Sequence, residues 1–187
     1  DRSVSRGLGD VYKRQELLNL SKAPCEIPVL KKASLFSCLT GLRYSDVQRL
    51  EWRNIVPNLD RTGYNIRTRT KKTQAEISLP LSPDALELCG ERSDGVVFIG
   101  LNRNMLNTPL RRWISEAGIT KHITFHSFRH TYAVLQLASG TDIYTVSKML
   151  SHKHVTTTEI YLDLLEETKS KTIGRIQIHK DHDPDAA

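Results

Sequence analysis

Between Asn54 and Leu81 the apolar residues of this chain stop recurring at helical spacing and begin to alternate. The stretch NIVPNLDRTGYNIRTRTKKTQAEISLPL carries turn residues at Asn58 and Asp60, at Gly63, and at Thr73-Gln74. A period of two bounded by such residues predicts a small antiparallel sheet of two or three strands, ended by Pro80. On both sides of it the period is helical. QELLNLS starts a helix, and IPVLKKASLFSCLTG reads as a buried helix stopped at Gly41. YSDVQRLEW follows as a short helix capped by Ser45 or Asp46, with Val47, Leu50 and Trp52 turned inward. After the sheet, SPDALELCG is a short helix with proline at an early position. VVFI reads as one more short strand. Helices are then predicted over about 102–117, 127–138, 142–150 and, with an interruption, 155–168. The fold class is therefore mostly α with a small antiparallel β-sheet (α+β), the sheet inserted between two helical parts.

A hydrophobic fraction of 39% over 187 residues suffices for one domain with a real core. The net charge of +6 favours a polyanionic partner. Cys25, Cys38 and Cys89 show no CxxC spacing, which argues against a disulfide framework or a cysteine zinc site. Cys38, inside an apolar run, reads as a buried thiol, and a reducing, cytoplasmic setting follows. No apolar run reaches membrane-spanning length, and no signal-peptide core is visible. Residues 1–14 lack clean periodicity and read as an adaptor-like scar outside the natural fold. The expected domain is 15–170, followed by a polar tail over 171–187.

The chemistry concentrates in three separated stretches and one basic run. In TFHSFRHTYAV, His126, Arg129 and His130 share an arc of about 100° on a helix, with Phe128, Tyr132 and Leu135 opposite as a core stripe. These cations stand near the positive helix end and repel one another unless an anion sits between them. Read alone, the group serves equally well as a surface patch. GTDIYTVSKMLSHKHVTTTEIYLDLL then supplies His152, a threonine run able to cap a helix, and Tyr161 on that helix's first turns, nine residues after the histidine. A phenol is a competent nucleophile once a base takes its proton. Taken alone, Tyr161 is more simply a core aromatic.

TGLRYSDVQRLEW places Arg43 after the Gly41 break, with Asp46 three residues on to pair with it or brace another cation. Two arginines from distant segments fork onto the oxygens of one phosphate, although a surface Arg43–Asp46 ion pair is the plainer reading. The run 61–72 holds Arg61, Arg67, Arg69, Lys71 and Lys72 without an acid. In a hairpin Arg67, Arg69 and Lys71 line one side and suit DNA phosphates. Lys72, near the turn, is placed to protonate a leaving oxygen.

In this order, TGLRYSDVQRLEW, KKTQAEISLPL, HSFRHTYAV and MLSHKHVTTTEIY resemble the catalytic domain of the tyrosine recombinases, the phage integrase family, and most closely integrases of Bacteroides-type mobile elements. The resemblance runs from about Gln15 to about Leu165. It implies that family's catalytic-domain fold and an enzyme that cleaves and rejoins DNA strands. It implies Arg43 and Arg129 as the arginines that neutralise the transition state, His126 as a proton shuttle and His152 as a further donor to the phosphate. Tyr161 becomes the nucleophile, and Lys72, eight residues before Pro80, the acid for the leaving 5′ oxygen, with neighbouring Lys71 as the competing assignment. Asp46 and His130 support the site. The implied product is a 3′-phosphotyrosyl bond plus a free 5′-hydroxyl, and the implied chemistry needs no cofactor and no metal, which fits a sequence with no phosphate-binding glycine loop and no acidic cluster suited to magnesium. The implied partners are double-stranded DNA, a homotetramer on paired sites and accessory DNA-bending or excision factors. The family's N-terminal core-binding domain is expected to be absent here. Ser151 stands where the family more often has glycine. A DNA-binding module without activity and a type IB topoisomerase-like enzyme are the rival readings of the same motifs.

Overall fold

A computed structural model describes residues 14–70 and 76–162 of the chain. Three helices come first, α1 (Arg14–Lys22), α2 (Pro28–Thr40) and α3 (Tyr44–Gln48). A three-stranded antiparallel sheet follows, with order β1 (Ile55–Pro57), β2 (Tyr64–Arg69), β3 (Glu76–Leu81). The chain then returns to helices α4 (Pro83–Cys89), α5 (Thr108–Glu116), α6 (Phe125–Ala138), α7 (Ile143–Met149) and α8 (Thr156–Glu159). The mostly α architecture with an inserted sheet is the one expected from the period change. Among the described residues no helix is long and apolar enough to cross a membrane.

Helix α2 is the hub, packed against α6 and α4. Leu30, Ala33 and Phe36 are wholly buried along it, and Phe36 meets Phe98 in a tilted ring pair. Cys38 is buried as expected, and burial holds its thiol well above the usual range. The core divides into two clusters. The larger one ends on α6 at Phe128, and the smaller gathers Tyr132, Ala133 and Leu137 of α6 with Val146, Leu150 and Tyr161. Arg129 lies on α6 at the seam between them.

Several local expectations are corrected. Arg43, not Ser45 or Asp46, is the residue preceding the first turn of α3, and no side chain caps that helix. Pro80 lies inside β3, paired with Asn65, because β3 is an edge strand and an edge tolerates a missing donor. VVFI forms no strand: only Val96 bridges, to Glu51. The predicted helix over 102–117 is split into a 3₁₀ turn at Arg103–Leu106 and α5, with Pro109 in the first turn of α5. The helix predicted from 127 starts two residues earlier, and Leu135 is half-buried rather than a core position. Ser82 caps α4, accepting from Ala85 N at 3.2 Å.

Candidate active site

The site assembles at the C-terminal ends of two helices. Helix α2 stops at Gly41, whose φ of 69° is left-handed and whose N–H returns to Ser37 O at 2.8 Å. Ser37 Oγ also donates to Leu42 O at 2.8 Å, so this one serine fixes both sides of the turn that delivers Arg43. Helix α7 ends in a paired-bond motif. Ser151 N–H donates to Lys148 O and His152 N–H to Ser147 O, both at 2.9 Å. Ser151, at φ 51°, holds the left-handed position of that motif and projects His152 out of the helix.

Both helix ends leave carbonyls without intrahelical partners. Arg129, only 3% exposed, satisfies one from each: Nη1 donates to Gly41 O at 2.6 Å and Nη2 to Leu150 O at 2.5 Å. The guanidinium thus staples α2 to α7 through α6. It is buried rather than part of a surface patch. A guanidinium carries five N–H donors, so donors remain after both carbonyls are served. Burial first, and then the neighbouring Arg43, lower the Arg129 pKa to about 9. Burial likewise lowers Arg43, while Asp46 and Tyr161 pull it back up. Arg43 Nη1 is buried with no hydrogen-bond partner among the described residues. Two desolvated like charges side by side are costly until an anion joins them.

Tyr161 is 4% exposed and lies in the turn after α8, not on its first turns, with its N–H on Thr158 O at 3.0 Å. Its hydroxyl is 2.6 Å from His130 Nδ1. Burial raises the phenol's pKa, and Arg129 and Arg43 oppose that shift. The exposed ring of His126 stands edge-on to His130, with centroids 4.4 Å apart. His152 Nδ1 is 2.8 Å from the fully buried Thr158 hydroxyl. Burial, then Arg129, Arg43, His130 and His126, lower its pKa to about 4, so it is neutral at pH 7. Where the Thr158 hydroxyl donates to Nδ1, the imidazole proton sits on Nε2.

The structure therefore brings Arg43, His126, Arg129, His130, His152 and Tyr161 into one electrostatic neighbourhood. Asp46, 3% exposed, joins it but pairs with Arg49 at 3.1 Å. Arg49 Nη2 also donates to Arg69 O at 2.7 Å, tying the last residue of β2 to α3. Sequence reading gave Arg49 no role; its i,i+3 spacing from Asp46 was the available signal. Arg67 and Arg69 stand exposed on β2 outside the cluster, and Arg69 pairs with Glu76 at 2.9 Å. Lys71 and Lys72 lie outside the described residues.

The sequence model of the Phage integrase family matches residues 12–168. A protein called tyrosine recombinase XerD, from Lacticaseibacillus casei, is 29% identical over 154 residues, covering 72% of this chain and 51% of that protein. The chain spans about half the length of the curated relatives it matches. XerH site-specific recombinase bound to its palindromic difH substrate superposes with a TM-score of 0.71 at 18% identity, covering 93% of this chain and 55% of that one. The catalytic domain of bacteriophage HP1 integrase gives 0.67 at 17% identity, covering 88% of this chain and 94% of that one. At these identities the two structures establish a shared catalytic-domain fold.

Proposed function

The chain belongs to the phage integrase family, and we propose from that premise that it is the catalytic part of a site-specific DNA recombinase. The observation that carries this reading is the meeting of two desolvated guanidiniums with one phenol. Arg43 and Arg129 raise each other's electrostatic cost, and both favour the ionised form of Tyr161. One phosphodiester between them relieves the repulsion and supplies the phenol's target.

In the proposed reaction the Tyr161 oxygen attacks the scissile phosphorus, a 3′-phosphotyrosyl bond forms, and the 5′ oxygen leaves as a hydroxyl. Arg43 and Arg129 stabilise the charge that grows on the non-bridging oxygens. Neutral His152 donates from Nε2 to the same oxygens. His126 belongs to the path of the nucleophile's proton. Lys72 gives a proton to the leaving 5′ oxygen, with Lys71 as the competing donor. Asp46 acts through Arg49 to hold β2 against α3, while Arg67 and Arg69 contact the DNA backbone. The bond energy stays in the protein–DNA linkage, so a second strand's 5′-hydroxyl reverses the step.

Further parts of the proposal rest on composition and motif resemblance: a domain over about 15–170 with a polar tail over 171–187, and action as one protomer of a homotetramer on paired sites. The remainder are assistance by DNA-bending or excision factors, a cytoplasmic setting and service to a Bacteroides-type mobile element. A nicked suicide duplex tests the core of it. Covalent trapping in the wild type that vanishes in Tyr161→Phe is the expected result. Binding without trapping points to an inactive DNA-binding module, and supercoil relaxation without recombinant product to a topoisomerase-like enzyme.

A further inference from the structure

His126 and His130 lie one helical turn apart on the same stripe of α6, and only one of them reaches the phenol. His130 Nδ1 is 2.6 Å from the Tyr161 hydroxyl, while His126 is exposed and touches His130 rather than Tyr161. The geometry points to His130 as the base that takes the Tyr161 proton, with His126 as the second imidazole between it and solvent. The inference rests on the recombinase reading and assigns within it a step that motif resemblance gives to His126.

In the free protein the phenol donates to Nδ1 of neutral His130, whose own proton is on Nε2. On attack the Tyr161 O–H bond breaks, an N–H bond forms at Nδ1, and the electron pair left on oxygen makes the bond to phosphorus. His130 becomes an imidazolium. The phenol is 4% exposed, so bulk water is not the acceptor at hand. Among the described residues, the titratable and charged groups around this proton include Tyr161 itself, His126 on the same helix, Arg129 of α6, Arg43 and Asp46 of the α2–α3 turn, and His152 after α7. The proton acceptor is therefore the imidazole in direct hydrogen-bond contact with the hydroxyl.

The test uses a pool of nicked duplexes with randomised sequence around the nick, and follows covalent adduct against pH. His130→Asn places an amide oxygen near the position of Nδ1, keeping an acceptor for the hydroxyl without taking its proton. It is expected to slow adduct formation by about 100-fold or more and to abolish the fall in rate at low pH. His126→Ala keeps that acid limb and loses less rate, and added imidazole partly restores His130→Ala. Adduct formation by His130→Asn at the wild-type rate, or an acid limb lost in His126→Ala instead, overturns the inference while the recombinase reading stands. Wild-type protein that forms no adduct overturns the recombinase reading and this inference with it. A readout without DNA guards against misfolded variants: Tyr161→Phe must shift the ¹⁵N resonance of His130 Nδ1 and leave that of His126 nearly unchanged. An unmoved His130 resonance overturns the pairing.

Discussion

Replacing Gly41 by alanine strikes the turn on which the site is built. Gly41 has φ 69°, where a Cβ costs about 1–2 kcal/mol. The added Cβ would also lie 2.6 Å from Tyr132 Cδ1 and 2.8 Å from Leu150 Cδ2. Neither neighbour has room to retreat, since Tyr132 is 3% and Leu150 0% exposed. Overpacking of this kind adds about 1–3 kcal/mol. Stiffening of the unfolded chain returns about 0.4–1 kcal/mol, which leaves a net loss of about 1–4.5 kcal/mol. For a chain of this size that lowers Tm by roughly 2–18 °C. Urea unfolding and a thermal melt measure it. Because Gly41 O also anchors Arg129, adduct formation should fall further than DNA binding does. A Gly41→Ala protein that melts within about 1 °C of wild type would refute both the packing and the strain argument.

The second left-handed residue predicts the opposite sign: Ser151→Gly at φ 51° removes strain and should raise stability by about 1 kcal/mol in the same urea assay. Arg129→Ala leaves the Gly41 and Leu150 carbonyls unsatisfied at about 1–3 kcal/mol each. It should therefore destabilise the fold as well as slow cleavage by about 3 kcal/mol of transition-state energy, and wild-type cleavage would remove its assigned role. His152 has a folded pKa lowered to about 4 against an ordinary 6.5, so the unfolded chain binds its proton more readily. Its contribution to stability is full above about pH 6.5 and is lost as pH falls toward about 4; His152→Gln should flatten that part of a stability–pH curve.

The sequence made the helices and the sheet legible wherever one local rule governed. Gly41 ended α2 and Ser82 began α4 because a stop signal and a cap act within a few residues. Pro80 misled because strand position, edge or centre, is decided by pairing partners elsewhere in the chain. The residues that the structure brings together were legible as a list in order and illegible as an arrangement. Arg129 read equally well as part of a surface patch, yet its partners are carbonyls 88 and 21 residues away, which no pattern around HSFRH encodes. Similarly, His126 and His130 share one helical stripe. Which of them meets Tyr161 depends on where the turn after α8 is laid, 31 residues downstream of His130.

The central claim is a chemical bond at one atom. Wild-type protein incubated with the nicked duplex pool should be digested, and the peptide that retains nucleotide mass sequenced by fragmentation. A single modified residue is expected, Tyr161 joined to a 3′-phosphate, with an equal yield of free 5′-hydroxyl strand. Nucleotide carried by any other residue, or a 5′-phosphate link at Tyr161, would contradict it.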